Sequence, residues 1–222
     1  YHGDIADTDL LARIFAEQGM GSGSGAIMHF AGSVVVPESV EKPLDYYHNN
    51  TANSRTLIAA AVDAGVPHLL FSSTAATYGV PDFSPIGEDA PKRPINPYGW
   101  SKLMTERMLA DTARAAPLNY GALRYFNVAG ADPLARSGQS TAGATHLIKV
   151  AVEAALGKRD HVAVFGTDYD TPDGTGVRDY IHVSDLAAAH VLALEALIEH
   201  PDRSLTMNCG YGRGFSVLEV LD

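Results

Sequence analysis

The sequence predicts an α/β protein with a doubly wound, mostly parallel sheet. Short apolar runs alternate with longer segments of helical periodicity along most of the 222 residues. Strands and helices in this rhythm produce parallel strands joined by crossover helices. With 46% hydrophobic and 19% charged residues, the chain has enough apolar material for one large core and a smaller satellite region.

The first half of the chain supplies two strands and a helix between them. Residues 26–30 form an apolar run that ends at Ala31-Gly32, as a buried strand does. Residues 50–64 carry apolar side chains at helical spacing and end at Gly65, a common helix stop. Residues 66–73 are the next apolar run and are predicted as a strand.

The longest predicted helix is residues 98–116, which Pro97 precedes and Pro117 follows. Proline fits the start of a helix and cannot continue one, so both ends are marked. The preceding stretch, residues 79–97, has five prolines and two glycines. Ordered loops of this length are often functional.

The second half repeats the alternation. Strands are predicted at 120–125 and 162–165, and helices at 146–156, at 183–199 and from Ser216 onward.

Composition excludes several functions. A formal net charge of −10 disfavours nucleic acid and anionic membranes as partners. No stretch approaches the roughly 20 apolar residues of a membrane span, and no secretory signal is evident at the start. The single cysteine, Cys209, excludes an internal disulfide and fits a reducing cytoplasm. The histidines lack the spacing of a metal site, so no metal is predicted.

Tyr98 and Lys102 are the first candidates for chemistry. At i and i+4 they share one face of the predicted helix. A nearby ammonium stabilises a phenolate and lowers the phenol pKa from its usual value near 10, which makes the tyrosine a usable acid and base at neutral pH. On its own the spacing is weak evidence, because an ordinary helix start with an exposed lysine has the same pattern.

Ser72, Ser73 and Thr74 strengthen that interpretation. They end a predicted strand about 25 residues upstream of Tyr98. The carboxyl ends of parallel strands face the crevice in which such folds bind ligands. We therefore expect Thr74 to hydrogen-bond a substrate hydroxyl beside Tyr98; the alternative is that these hydroxyls only cap a turn.

Over its whole length the chain resembles the UDP-glucose 4-epimerase family of extended short-chain dehydrogenases/reductases. The matching segments are 3–5, 29–32, 37–40, 42–44, 46–50, 71–74, 97–102, 123–127 and 173–183. The resemblance implies a Rossmann fold in which 1–127 and 181–208 bind the dinucleotide. Segments 128–180 and 209–222 then form an interleaved substrate-binding region. The family's first β-α-β unit and the end of its substrate region have no counterpart here, so we expect a fragment that binds NAD poorly by itself.

The resemblance also implies roles for individual residues. Tyr98 is similar to the catalytic base, with Lys102 and Thr74 as its partners. The residues similar to NAD contacts are Asp4, Ile5, Phe30, Ala31, Gly32, Asn50, Ser72, Tyr98, Lys102 and Tyr125. Those similar to substrate contacts are Thr74, Tyr98, Asn127, His146, Leu147, Ala163, Phe165 and Arg178. His146 stands where many members have asparagine, and Val34 where many have lysine.

The implied reaction is reversible inversion at C4 of a UDP-hexose in galactose metabolism, through a 4-keto sugar and with NAD as hydride carrier. The family commonly forms homodimers through helices such as 50–64 and 98–116. Three alternatives remain: an epimerase for a UDP-pentose, UDP-N-acetylhexosamine or UDP-uronate; a nucleotide-sugar dehydratase; and a non-catalytic NAD sensor. Dehydratases usually follow the threonine with Asp-Glu, whereas Ala75-Ala76 follows here. Sensors typically lose the Tyr/Lys pair, which this chain keeps.

Overall fold

The computed structural model describes residues 1–141 and 143–222. The helices are α1 (Thr8–Glu17), α2 (Val36–Glu41), α3 (Pro43–Tyr46), α4 (Asn53–Ala64), α5 (Pro97–Ala115), α6 (Leu147–Ala155), α7 (Val183–Glu199) and α8 (Val217–Leu221). The strands are β1 (Ala26–His29), β2 (His68–Thr74), β3 (Asn119–Tyr125), β4 (Asn127–Ala129), β5 (Val177–His182), β6 (Leu205–Cys209) and β7 (Gly214–Ser216).

Two compact units make up the chain. The first contains Tyr1–Arg124 and His190–Asn208, and the second contains Tyr125–Ala189 and Cys209–Asp222. Each unit is therefore assembled from two separate stretches of sequence. The assignment of dinucleotide and substrate binding to particular regions stays a prediction.

A sheet of order β1-β2-β3-β6 forms the centre of the first unit. β1 and β2 run parallel, with Ala26 opposite His68 and His29 opposite Phe71. The strands predicted at 26–30, 66–73 and 120–125 are confirmed as β1, β2 and β3, with ends that differ by one or two residues. The predicted α/β class is confirmed as well.

Helices pack on both faces of this sheet. Leu69 and Phe71 of β2 belong to a hydrophobic cluster with side chains of α1, α4 and α5. Leu70 points the other way, since successive strand residues alternate. A Cβ at Gly121 of β3 would lie 2.4 Å from Leu70 Cδ1 and 3.5 Å from Leu197 Cδ1 of α7. The Leu70 side chain of the neighbouring strand therefore leaves little room for a side chain at 121, and Leu197 of α7 packs over the same position.

Asn119 fixes the end of α7 to the start of β3. Its Nδ2 donates to the carbonyl oxygens of Leu197, His200 and Arg203 at 2.9, 3.3 and 3.1 Å. The last carbonyls of a helix have no partner within the helix, so a buried side-chain amide is an effective cap. The Oδ1 atom of Asn119 bonds His68 Nδ1 at 2.5 Å, which holds the whole amide in place.

The second unit contains a smaller sheet of order β4-β5-β7. β5 pairs in parallel with β4 and antiparallel with β7. The helix predicted from Ser216 is confirmed as α8, where Ser216 and Glu219 form a reciprocal capping box. The predicted helices at 146–156 and 183–199 are confirmed as α6 and α7.

One sequence prediction about elements was wrong. Residues 162–165 form no strand, because this short apolar segment has no pairing strand among the described residues. The helix predicted at 50–64 is confirmed as α4, which is α-helical from Asn53 and continues a π-helical turn, Tyr47–Ala52. No helix in the described part of the chain is both long and apolar enough to cross a membrane.

Candidate functional site

The start of α5 carries the predicted Tyr98/Lys102 pair. Pro97 is its first residue, and the Asn96 side chain accepts a hydrogen bond from Gly99 N–H at 2.8 Å. A Cβ at Gly99 would lie 2.7 Å from the Ala76 carbonyl oxygen. Glycine therefore lets the start of α5 approach the turn that follows Thr74. This packing brings the Tyr98 segment next to the end of β2.

Lys102 is buried, with 2% of its surface exposed, which is unlike the exposed lysine of an ordinary helix start. Its Nζ donates to the Ser72 carbonyl oxygen at 3.0 Å and lies 4.9 Å from the centre of the Phe71 ring. A Cβ at Gly32 would lie 3.4 Å from Nζ. Burial lowers the pKa of Lys102 to about 8. The site thus holds an ammonium that can release its proton near neutral pH.

Thr74 ends β2 and begins a 3₁₀ turn, Ala75–Thr77. Its Oγ1 accepts a hydrogen bond from Ala76 N–H at 3.1 Å. The capping role considered from the sequence is therefore present. A hydroxyl that accepts one bond still has its own proton to donate, so capping and substrate binding are compatible.

Asn50 lies in the π-helical turn and is buried. Its side-chain amide pairs with both backbone groups of Ser33, at 2.7 Å to N and 2.9 Å to O. Nδ2 also donates to Ser101 Oγ at 3.0 Å. Asn50 thus ties the loop after β1 to α5. π-helical turns are frequent at functional sites, and this one directs the amide toward that loop.

His29, at the end of β1, is a buried histidine that the sequence did not mark. Its Nε2 is 2.8 Å from Ser54 Oγ, and Ser54 Oγ donates to the Asn50 carbonyl oxygen at 2.6 Å. Because the hydroxyl proton is used there, Nε2 must carry the proton in the His29–Ser54 bond. Burial, followed by the charge of Lys102, lowers the pKa of His29 to about 4. His29 is therefore neutral at physiological pH.

The other predicted cofactor contacts of the first unit lie in the loop after β1, in β2 or at the start of the chain. Ala31 and Gly32 are exposed in the loop after β1, and the Phe30 ring is 5.0 Å from that of His190. Ser72 is buried in β2. Asp4 Oδ1 accepts from Ala6 N–H at 2.8 Å, while Ile5 packs against the hydrophobic cluster.

Three predicted residues of the second unit belong to strands. Tyr125 is the last residue of β3. Asn127 begins β4, and its Nδ2 donates to the Asp179 carbonyl oxygen at 3.2 Å. Arg178 is exposed on β5, and its Nη1 donates to the Val177 carbonyl oxygen at 2.7 Å.

The remaining predicted substrate residues lie at and beyond the start of α6. His146 is the N-cap residue of α6 but makes no side-chain cap; its Nδ1 is 2.9 Å from Gln139 Nε2. Leu147 is the first residue of α6 and is half-buried. Ala163 is exposed, and Phe165 is 86% exposed, which is unusual for phenylalanine.

The sequence interpretation also missed a buried ion pair that involves α5, one turn beyond Lys102. Glu106 of α5 lies one turn after Lys102, and its carboxylate contacts Arg124 of β3. The available signal was a charged residue on the same helix face as Tyr98 and Lys102, together with an arginine inside an otherwise apolar strand.

Comparison with known proteins assigns the family. The profile of the NAD dependent epimerase/dehydratase family matches residues 1–210. The chain belongs to this family. Within it, the chain is 63% identical over 219 residues to a UDP-glucose 4-epimerase from Azospirillum brasilense, and the match covers 99% of this chain and 62% of that protein.

Solved structures of epimerases have the same fold. The UDP-glucose 4-epimerase of Brucella ovis in complex with NAD matches with a TM-score of 0.93 at 47% identity, covering 99% of this chain and 66% of that one. The UDP-Glc/GlcNAc 4-epimerase of Campylobacter jejuni matches with a TM-score of 0.82 at 48% identity, covering 100% and 66%. The predicted Rossmann fold and the predicted family are confirmed. The chain spans less than two thirds of the length of each of these relatives.

Proposed function

We propose that the protein containing this chain interconverts UDP-glucose and UDP-galactose by inverting C4, with NAD as its bound cofactor. The observation that carries this proposal is the buried ammonium of Lys102, one helical turn after Tyr98. A positive charge on the same helix face favours the phenolate of Tyr98, so in this proposal the tyrosine takes the proton of the sugar's 4-hydroxyl. The high identity to named UDP-glucose 4-epimerases supports the choice of substrate.

The chain's residues fit the cofactor. The loop after β1 is exposed at Ala31 and Gly32 and lies close to Lys102 Nζ, which leaves backbone and ammonium donors for phosphate and ribose oxygens. When bound, NAD supplies a reversible hydride acceptor. We assign Lys102, Asn50 and the 30–32 loop to NAD binding. Asn50 also holds this loop in place through its hydrogen bonds to the Ser33 backbone.

Thr74 and Tyr98 orient the sugar in this proposal. The Thr74 hydroxyl donates to the 4-oxygen of the sugar. Ala76 N–H donates to Thr74 Oγ1 and so fixes the orientation of the hydroxyl. We assign Arg178 and Asn127 to the diphosphate, because an exposed guanidinium and an amide suit phosphate oxygens. Leu147, Ala163 and Phe165 are assigned to uridine, for which the exposed Phe165 ring offers an apolar surface.

Related chemistries are distinguishable. Ala75 and Ala76 form the turn after Thr74, and their methyl groups have no acid or base for eliminating water. A second sugar is the stronger alternative, because the Campylobacter jejuni relative is named for both glucose and N-acetylglucosamine substrates. His146, in place of the commoner asparagine, is the residue we expect to influence that choice.

The proposal predicts a specific product. The full-length gene product, incubated with UDP-galactose and no added NADH, is expected to form UDP-glucose until the two sugars reach equilibrium. Chromatography of the nucleotide sugars measures this, and parallel reactions with UDP-N-acetylgalactosamine and UDP-xylose test the alternative sugars. A product lighter by one water molecule would identify a dehydratase instead. Unchanged UDP-galactose would reject the proposal.

We further propose that the protein is a homodimer that associates through α4 and α5. An apolar groove of about 570 Å³ lies between the π-helical turn, α4 and α5. Its lining residues are Tyr47, Thr51, Ala52, Arg55, Thr56, Met104 and Met108. Met104 is 41% exposed there, and burying such a surface against a second copy is favourable.

A charge in the groove should separate the dimer. Met104→Glu is expected to shift the mass in solution from dimer to monomer, because the interface would have to bury a carboxylate in place of an apolar side chain. Light scattering after size-exclusion chromatography measures the mass. Leu44→Glu, which changes an exposed apolar residue of α3 outside the groove, should leave the dimer intact. A Met104→Glu protein that stays dimeric would place the interface elsewhere.

The proposed setting is the cytoplasm and galactose metabolism. The lone cysteine, Cys209, is buried, which suits a reducing compartment.

A further inference from the structure

We propose that Glu106 and Arg124 are positioning residues for the epimerase site. They hold the Thr74 segment, defined here as residues 73–78, against α5 and β3. This inference rests on the proposed function, in which Thr74 and Tyr98 act together on the sugar. It assigns a role to charged residues that touch neither the sugar nor the cofactor in that proposal.

The two side chains form a buried two-point ion pair. Arg124 Nε donates to Glu106 Oε1 at 2.9 Å, and Nη2 donates to Oε2 at 2.5 Å. The side chains of Arg124 and Glu106 are only 6% and 7% exposed. Burial would lower the pKa of Arg124, but the hydrogen bonds and charge of Glu106 outweigh it and raise the pKa. The Arg124 guanidinium therefore stays charged in this pair.

Stability alone is a weak reason for such a pair. The free energy needed to remove two charges from water is about as large as the free energy of their attraction. Proteins in which apolar residues of similar size replace such a pair are therefore often as stable. A buried pair is more easily explained where it specifies an arrangement that apolar packing would leave loose. The neighbours of this pair indicate which arrangement that is.

The pair holds the Thr74 segment at both ends. The Ser73 hydroxyl donates a short hydrogen bond to Glu106 Oε1, immediately before Thr74. Arg124 Nη1 donates to Tyr78 Oη at 2.9 Å, and Tyr78 in turn donates to Asn208 Oδ1 at 2.6 Å. Thr74 therefore lies between two residues that one ion pair fixes.

The same network reaches the loop that leads to Tyr98. Arg124 Nη1 also donates to the Glu88 carbonyl oxygen at 3.3 Å. Asn208 donates to the same loop, from its N–H to Glu88 Oε1 at 2.9 Å and from Nδ2 to the Ile86 carbonyl oxygen at 2.8 Å. The pair thus restrains the residues on both sides of Thr74 and the loop that precedes Tyr98. A displacement near 1 Å can lower a reaction rate by about 100-fold, so a loosened segment should slow catalysis.

The decisive variant removes both charges together. In the full-length gene product, Glu106→Met with Arg124→Met is expected to keep the wild-type melting temperature within a few degrees. We expect kcat for UDP-galactose to fall about 30-fold while KM changes less than about threefold. The matched control, Arg107→Met with Asp111→Met, removes an exposed ion pair of the same helix and should leave kcat unchanged.

Amide hydrogen exchange tests the positioning without relying on the reaction. Residues 74–79 should exchange faster in the Met/Met variant, whereas α4 should exchange as in the wild type. A folded Met/Met variant with wild-type kcat and wild-type exchange would overturn the inference. If the wild type proves inactive on UDP-sugars, the proposed function fails, and exchange alone still decides the positioning role.

Ser73→Ala provides an independent route if the Met/Met variant does not fold. It keeps the ion pair and removes only the bond to Glu106. We expect kcat to fall about fivefold and exchange at 74–79 to increase, with little change in melting temperature. Unchanged exchange and kcat in Ser73→Ala would count against the role of Glu106.

Discussion

Tyr98→Phe is expected to lower kcat for the conversion of UDP-galactose to UDP-glucose by about 1000-fold, within the range of losses for a general base. The substitution removes the oxygen that accepts the 4-hydroxyl proton and leaves the ring that packs at the start of α5. The melting temperature should therefore change little. Steady-state assays on the full-length gene product measure kcat and KM.

Tyr120→Phe is the matched control, because it removes the hydroxyl of another half-buried tyrosine in the first unit. It should retain wild-type kcat. A folded Tyr98→Phe enzyme with kcat within tenfold of the wild type would mean that another group takes the proton.

Lys102→Met is expected to make the protein more stable and much less active. Burial lowers the pKa of Lys102 from 10.5 to about 8. Each pKa unit corresponds to about 1.4 kcal/mol, so holding this lysine charged costs up to roughly 3 kcal/mol at neutral pH. Methionine fills the same space without that cost. Activity should fall about 100-fold, because the phenolate of Tyr98 loses its stabilising charge.

The stability gain has a defined pH dependence. The folded-state pKa of Lys102 lies below the unfolded value, so the unfolded chain binds the proton more tightly. The cost is complete below about pH 8 and disappears as pH rises from about 8 to 10.5, where only the unfolded state stays charged. Urea unfolding of wild type and variant at several pH values measures this difference.

The matched control is Lys42→Met, which changes an exposed lysine and should shift the unfolding free energy by less than about 0.5 kcal/mol. A constant gain for Lys102→Met from pH 7 to 10.5 would show that a different effect stabilises the variant.

Local patterns were sufficient to predict the elements that carry the central residues. Pro97 and the helical spacing after it marked α5, and the apolar run before Ser72 marked β2. Helix faces and strand ends depend on neighbours in sequence, so the Tyr98/Lys102 face and the position of Thr74 followed from them.

Contacts between residues that are far apart in the sequence could not be predicted from local patterns. Arg124 and Glu106 are 18 residues apart, and Asn50 and Ser101 are 51 apart. Nothing in the spacing of such residues indicates that they meet. The failed strand at 162–165 has the same origin, because a strand needs a pairing neighbour that composition does not reveal.

The hydrogen bonds of Asn119 cannot all form until long after Asn119 itself has been synthesised. The last carbonyl that its amide caps belongs to Arg203, 84 residues later. At about 5–20 residues per second, a ribosome needs roughly 4–17 seconds to deliver that partner. During that interval β3 has neither β6 at its edge nor the end of α7 against its face. The nascent chain therefore carries an exposed strand edge, the kind of surface that chaperones protect.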